Sequence, residues 1–131
     1  MIEHPQSEPI LPPVTRGELI PPALSCVQDH LILRVSFKTE SEFVTVSLVC
    51  DTGAPGYLYL SEEVMHMLQS RLMEDEDTGV RYLECDGRKV PCTPGARNTV
   101  GFNLLCRFGL KLSHPRGQSP TFSLQDLPTI L

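Results

Sequence analysis

The chain has 131 residues, 40% of them hydrophobic, which suits one compact domain with a small core. A formal net charge of −5 and a pI near 5.3 offer no basic stripe, which argues against nucleic acid or an anionic membrane as the main partner. No apolar run approaches the length of a membrane span, and Met1-Ile2-Glu3-His4-Pro5-Gln6 lacks the charged-then-apolar layout of a signal peptide. A cytoplasmic location is expected, with the nucleus also compatible.

Twelve prolines and nine glycines, with few long helical patterns, point to a mainly β architecture with many turns. Residues 1–25 carry six prolines and little periodicity, and read as a flexible or extended lead segment. From residue 26 the pattern changes. Leu31, Leu33, Val35 and Phe37 alternate with mostly polar positions, Lys38-Thr39-Glu40-Ser41 reads as a turn, and Val44, Val46 and Leu48 alternate again. These two strands form a hairpin that runs into Asp51-Thr52-Gly53-Ala54. A strand that stays apolar up to a carboxylate, then turns on a glycine, is expected to hold that carboxylate in an apolar setting. Such a setting disfavours the charged form unless hydrogen bonds compensate, and acids of this kind cluster at functional sites. Taken alone, the triplet also fits a plain Asx-type turn closing a strand.

Ser61-Glu62-Glu63 opens a helix, with Ser61 as N-cap and two acids at the positive end of the dipole. Val64, Met65, Leu68 and Leu72 follow at helical spacing, and Met65, Met67 and Met73 read as core filler. Glu74-Asp75-Glu76-Asp77 reads as a solvated acidic turn. It begins a second triplet, Asp77-Thr78-Gly79, whose carboxylate follows acids rather than an apolar strand and should lie in water. Residues 80–92 form a hairpin about the strong turn signal Asp86-Gly87. Asn98-Thr99-Val100-Gly101 is a short β-prone run ending on glycine. A helical start at Asn103-Leu104-Leu105 and a β-like Arg107-Phe108-Gly109-Leu110-Lys111-Leu112 come next. Residues 114–131 form a C-terminal tail, either loose or packed as an added strand.

Together, the apolar lead-in to Asp51-Thr52-Gly53-Ala54 and the later Val100-Gly101-Phe102-Asn103-Leu104-Leu105 resemble the retroviral aspartic proteases (retropepsins) over about residues 30–113. The resemblance implies a mainly β, small, closed β-barrel-like fold with one or two short helices, spanning residues 26–113. It implies an aspartic endopeptidase in which two carboxylates share one proton around a water, one acting as base and the other donating to the scissile carbonyl. The chain offers one such acid, so the second Asp51 must come from another copy on a two-fold axis. Asp51, Thr52 and Gly53 are the expected catalytic loop, with Thr52 bonding across the dimer axis and Gly53 permitting close approach. Ala54, Val100 and Gly101 are expected to border an extended polypeptide substrate, with Gly101 allowing a close chain crossing beneath the aspartate loop. Leu104, Leu105 and Phe108 should pack the following helix on the core. No cofactor or metal is expected.

The chain departs from the family pattern in two places. Phe102 and Pro55 stand where members carry an arginine and an acid or small polar residue, and an apolar contact is the expected substitute. The interval that usually holds a glycine-rich flap holds the Ser61 helix and the acidic turn, so the 80–92 hairpin reads as a reduced or unusual flap, with the family's following hairpin and a lost flap as the alternative. A second function class therefore stays open: a retropepsin-like dimerisation or peptide-binding module with weak or no cleavage. Five cysteines (Cys26, Cys50, Cys85, Cys92, Cys106) without a secretion signal read as reduced structural thiols, with Cys85 and Cys92 placed to face each other across the hairpin.

Overall fold

Two nine-residue strands, β3 (His30–Lys38) and β4 (Phe43–Asp51), form the expected hairpin, paired so that Leu33 faces Leu48, Val35 faces Val46 and Phe37 faces Val44. Because side chains alternate along a strand, these six share one face, and all six are buried. The opposite face carries Ser36 and Thr45, also buried, whose hydroxyls satisfy each other at 2.8 Å; Ser36 also donates to the Ile20 carbonyl. Thr39 closes the turn by accepting from Glu42 N–H and donating to the Glu42 carbonyl.

These strands lie in a computed structural model that describes residues 14–113, 116–117, 121–126 and 131. It is mainly β with two short helices. The remaining strands of the large sheet are β1 (Val14–Gly17), β2 (Ala23–Val27), β5 (Leu58–Leu60), β6 (Met73–Glu74), β7 (Arg81–Cys85), β8 (Arg88–Pro94) and β9 (Thr99–Gly101). Their order is β2-β3-β4-β9-β5-β8-β7-β6, with β1 paired antiparallel to the start of β4. The ends, β2 and β6, do not meet. The sheet is open rather than the closed barrel expected from the sequence. Among the described residues β2 pairs only with β3 and β6 only with β7, so no ladder joins the two ends as closure requires.

The lead segment is also less loose than expected. Residues 14–17 and 23–27 are strands of the sheet, and 18–22 cover the Ser36 face between them. Proline-rich composition hid this, because Pro21 and Pro22 fall between the two strands rather than inside either. Residues 1–13 lie outside the described residues.

Helix α1 (Glu62–Met67) begins as expected: Ser61 accepts from Val64 N–H, and Val64 and Met65 face the core. Met73 does not, being 49% exposed on β6. The β7–β8 hairpin turns on Asp86 and Gly87, both at positive φ, the geometry an Asp-Gly turn supplies. Helix α2 (Phe102–Arg107) buries Leu104 and Leu105 and places Phe108 against the core. The tail contributes β11 (Thr121–Leu124), which pairs with β10 (Leu110–Ser113) in a separate two-stranded sheet. Residues 127–130 of the tail lie outside the described residues. Leu131 exchanges backbone hydrogen bonds with Ser36 and Lys38, and the Arg71 guanidinium donates to its carbonyl.

The cysteines are all free, but Cys85 pairs in register with Arg88 rather than Cys92, so the two do not face each other. Cys26 and Cys106 are exposed, while burial pushes the Cys50 thiol up to about 11 and Cys92 up to about 12; burial raises Cys85 as well. An Ellman titration of native protein at pH 8 should therefore show two fast thiols and three slow ones. The buried thiols also set an alkaline limit. In the unfolded chain they ionise near 9.0, below their folded values, so the stability they contribute is complete below about pH 9 and is lost as pH rises through 11 to 12. Denaturation midpoints measured from pH 8 to 12 should fall across that window, and a flat profile would contradict the burial of Cys50 and Cys92.

Candidate active site

Strand β9 comes from far along the chain yet lies between β4 and β5, parallel to the first and antiparallel to the second. Cys50, Val100, Leu58 and Cys92 consequently stand in one row across four strands, on the core face. One residue further on, Asp51 pairs with Gly101. Alternation turns Asp51 to the face carrying Thr45, Ser47 and Val49, away from the apolar core. The expected apolar setting is thus not what the strand provides. The stretch Leu48-Val49-Cys50 is apolar up to the acid because Val49, on the same face as Thr45 and Ser47, interrupts the alternation. Asp51 is half-buried at the sheet's end.

The turn after it is well defined. Gly53 N–H donates to Asp51 Oδ1 at 2.8 Å, and Ala54 N–H donates to the Asp51 carbonyl at 3.2 Å. This is an Asx-turn that fixes the carboxylate against its own loop by a charge-assisted bond. Thr52 and Gly53 are exposed, and Ala54 is half-buried.

The loop is then tied to the far strand and α2. Gly101 N–H donates to the Tyr57 carbonyl at 2.8 Å, Phe102 N–H to Ala54 at 2.7 Å, and Asn103 N–H to Gly56 at 3.1 Å. The first amide groups of a helix need partners outside it, and the aspartate loop supplies them. The crossing is close: a Cβ on Gly101 would lie 2.3 Å from the Gly56 oxygen. All six residues singled out in the sequence meet at this corner. Val100 supports the loop from beneath, since its side chain is fully buried in the core row and does not reach the surface.

The expected apolar contact between Phe102 and Pro55 does not form a buried pair. Phe102 is 43% exposed and Pro55 is exposed. The hydrogen bonds from the start of α2 to residues 54–57 hold the two segments together instead.

Several supporting residues carried no motif. Tyr59 OH accepts from Gly56 N–H at 2.9 Å, bracing the loop. Asn98 accepts from Ser61 N–H through its side chain and from Val49 N–H through its carbonyl, linking β9, β4 and the α1 cap. Arg107, at the end of α2, lies 4.5 Å over the Tyr57 ring. The alternation Tyr57-Leu58-Tyr59-Leu60 was the legible signal for a strand with aromatic groups beside the loop.

The second D-T-G triplet plays no part here. Asp77 is exposed between β6 and β7, four to five strands from β4, which is about 20 Å at sheet spacing. Asp75 organises that turn by accepting from Asp77 and Thr78 N–H, bonds that hold its carboxyl below the usual carboxylate range. Among the described residues, no group of three or more His, Cys, Asp or Glu side chains is placed to hold a metal ion. No helix of the described residues is long and apolar enough to cross a membrane. Compared with known proteins, the chain matches no family model, no curated protein and no solved structure.

Proposed function

We propose that this chain is an aspartic endopeptidase that works as a homodimer, with Asp51 of two copies holding a water and one shared proton between them. The observation that carries the reading is the threading of β9 between β4 and β5. It sets Gly101 beside Asp51 and draws residues 54–57 down onto the start of α2. An ordinary strand-ending turn has no need of this frame; a carboxylate that must be held in one place does.

The chemistry follows from the atoms available. Oδ1 of Asp51 is committed to Gly53 N–H, which leaves Oδ2 to meet a water and the matching group of a second copy. Two carboxylates that close cannot both stay ionised, so the pair retains a proton. One removes a proton from the water as it attacks the peptide carbonyl, and the other protonates the carbonyl oxygen. The exposed Thr52 loop, Pro55 and Phe102 offer a surface at the same corner for the second copy. An extended polypeptide lying across the two loops is the expected substrate.

The second reading, a binding or dimerisation module, draws on one observation. The hairpin tip (Cys85, Asp86, Arg88) borders a groove of ≈ 590 Å³ with Leu104, Arg107 and Gln125, and none of Asp51–Ala54 lines that groove. Within one chain the hairpin leans on α2 rather than over the carboxylate.

The test is digestion of a peptide library between pH 4 and 7, over protein concentrations that span the dimerisation equilibrium measured by sedimentation. Cleavage that rises as the square of concentration at the dilute end, and stops with a statine-type inhibitor, supports the protease. Intact peptides at concentrations where the protein is dimeric would leave the binding module as the better account.

A further inference from the structure

We infer that Arg107 is a positioning residue that couples the β7–β8 hairpin to the aspartate loop, so that the seating of the hairpin sets how substrate is held beside Asp51. Its guanidinium makes three contacts on two separate elements. It lies 4.5 Å over the Tyr57 ring, donates to Tyr57 OH at 3.3 Å, and donates to the Lys89 carbonyl at 3.4 Å. A planar guanidinium with five donors suits this bridging, because ring face and hydrogen bonds engage different parts of the group.

Both ends of the bridge matter. Tyr57 gives its carbonyl to Gly101 N–H, and Gly101 pairs directly with Asp51, so a displacement of Tyr57 is felt one residue from the carboxylate. Lys89 lies near the tip of the hairpin. Strand β8 runs parallel to β5 with Cys92 opposite Leu58, which sets Pro91 level with Asp51, so the hairpin projects past the Asp51 end of the sheet by about four residues, on the order of 13 Å. A peptide extending from Asp51 past this end of the sheet would run alongside the overhang, and within the described residues Arg107 joins the hairpin to the loop through its side chain.

The kinetic arm of the test rests on the protease reading. Arg107→Met keeps the stem and removes the guanidinium; it should raise KM about fivefold and leave kcat within twofold. Arg107→Lys should recover part of the loss, since the charge returns over the ring without the fork. Tyr57→Leu should have a similar effect, and the double variant should be no worse than either single one. Independent, multiplying effects would overturn the coupling, as would a loss of kcat with KM unchanged. A second arm does not depend on cleavage. Hydrogen exchange in Arg107→Met should quicken together at residues 54–57 and 88–90, while exchange in β3 and β4 stays unchanged. Faster exchange at only one of the two segments, or at neither, would overturn the inference even if peptides are cut. Joint faster exchange with no peptide cut would uphold the coupling and sink the protease reading alone.

Discussion

Asp51→Asn is expected to abolish peptide cleavage, by on the order of 10³-fold or more, while leaving fold and dimer in place. The amide is nearly isosteric and still presents an oxygen to Gly53 N–H, so the 2.8 Å bond that shapes the loop survives. What disappears is the capacity to take and give a proton, which both steps of the proposed reaction require. In the proposed dimer the pair must hold one negative charge and one shared proton in a confined site, a constraint that two neutral amides lift, so the thermal midpoint should be equal to or above that of the unaltered chain. Asp77→Asn is the matched control; its carboxylate lies in water several strands away and its loss should change nothing. Cleavage that persists in Asp51→Asn, or that falls equally in Asp77→Asn, is incompatible with the proposed mechanism.

Gly101→Ala should be the most damaging single-methyl change at the site. The added carbon would sit 2.3 Å from the Gly56 oxygen, 2.7 Å from its carbonyl carbon and 3.0 Å from the Ala54 oxygen. All three are backbone atoms, and both carbonyls are held by the first amides of α2, so relief means breaking those bonds or moving β9. Overpacking of this sort costs about 3 kcal/mol or more, a large part of the roughly 5–15 kcal/mol typical of a domain. The thermal midpoint should fall by about 10 °C or more. Gly56→Ala offers the contrast. Its new carbon would meet Tyr59 OH at 2.6 Å, the end of a side chain rather than backbone. The cost should be smaller, and Tyr59→Phe should recover part of it. An ordering with Gly56→Ala the worse of the two would show that the crossing at Gly101 is looser than described.

Much of the local structure was legible in the residues. The β3–β4 hairpin followed from two alternating runs, α1 from Ser61 and its two acids, and the β7–β8 turn from Asp86-Gly87, because each depends on neighbours within a few positions. Met73 was misread for the opposite reason. Its burial depends on which strand covers β6, and β6 is the sheet's edge. The lead segment was misread because the partner of β1, residues 43–46 of β4, lies about thirty residues away.

From the sequence alone came the candidate acid, the turn that holds it, the glycine beneath it and the mainly β character. These rest on period-two alternation and on the backbone freedom of glycine, both carried by consecutive residues. The placement of β9 between β4 and β5, the open sheet, the face on which Asp51 emerges and the Arg107–Tyr57 contact were decided only by tertiary structure. Each depends on which distant segments share a register, and a one-residue slip in register would turn the same carboxylate to the other face.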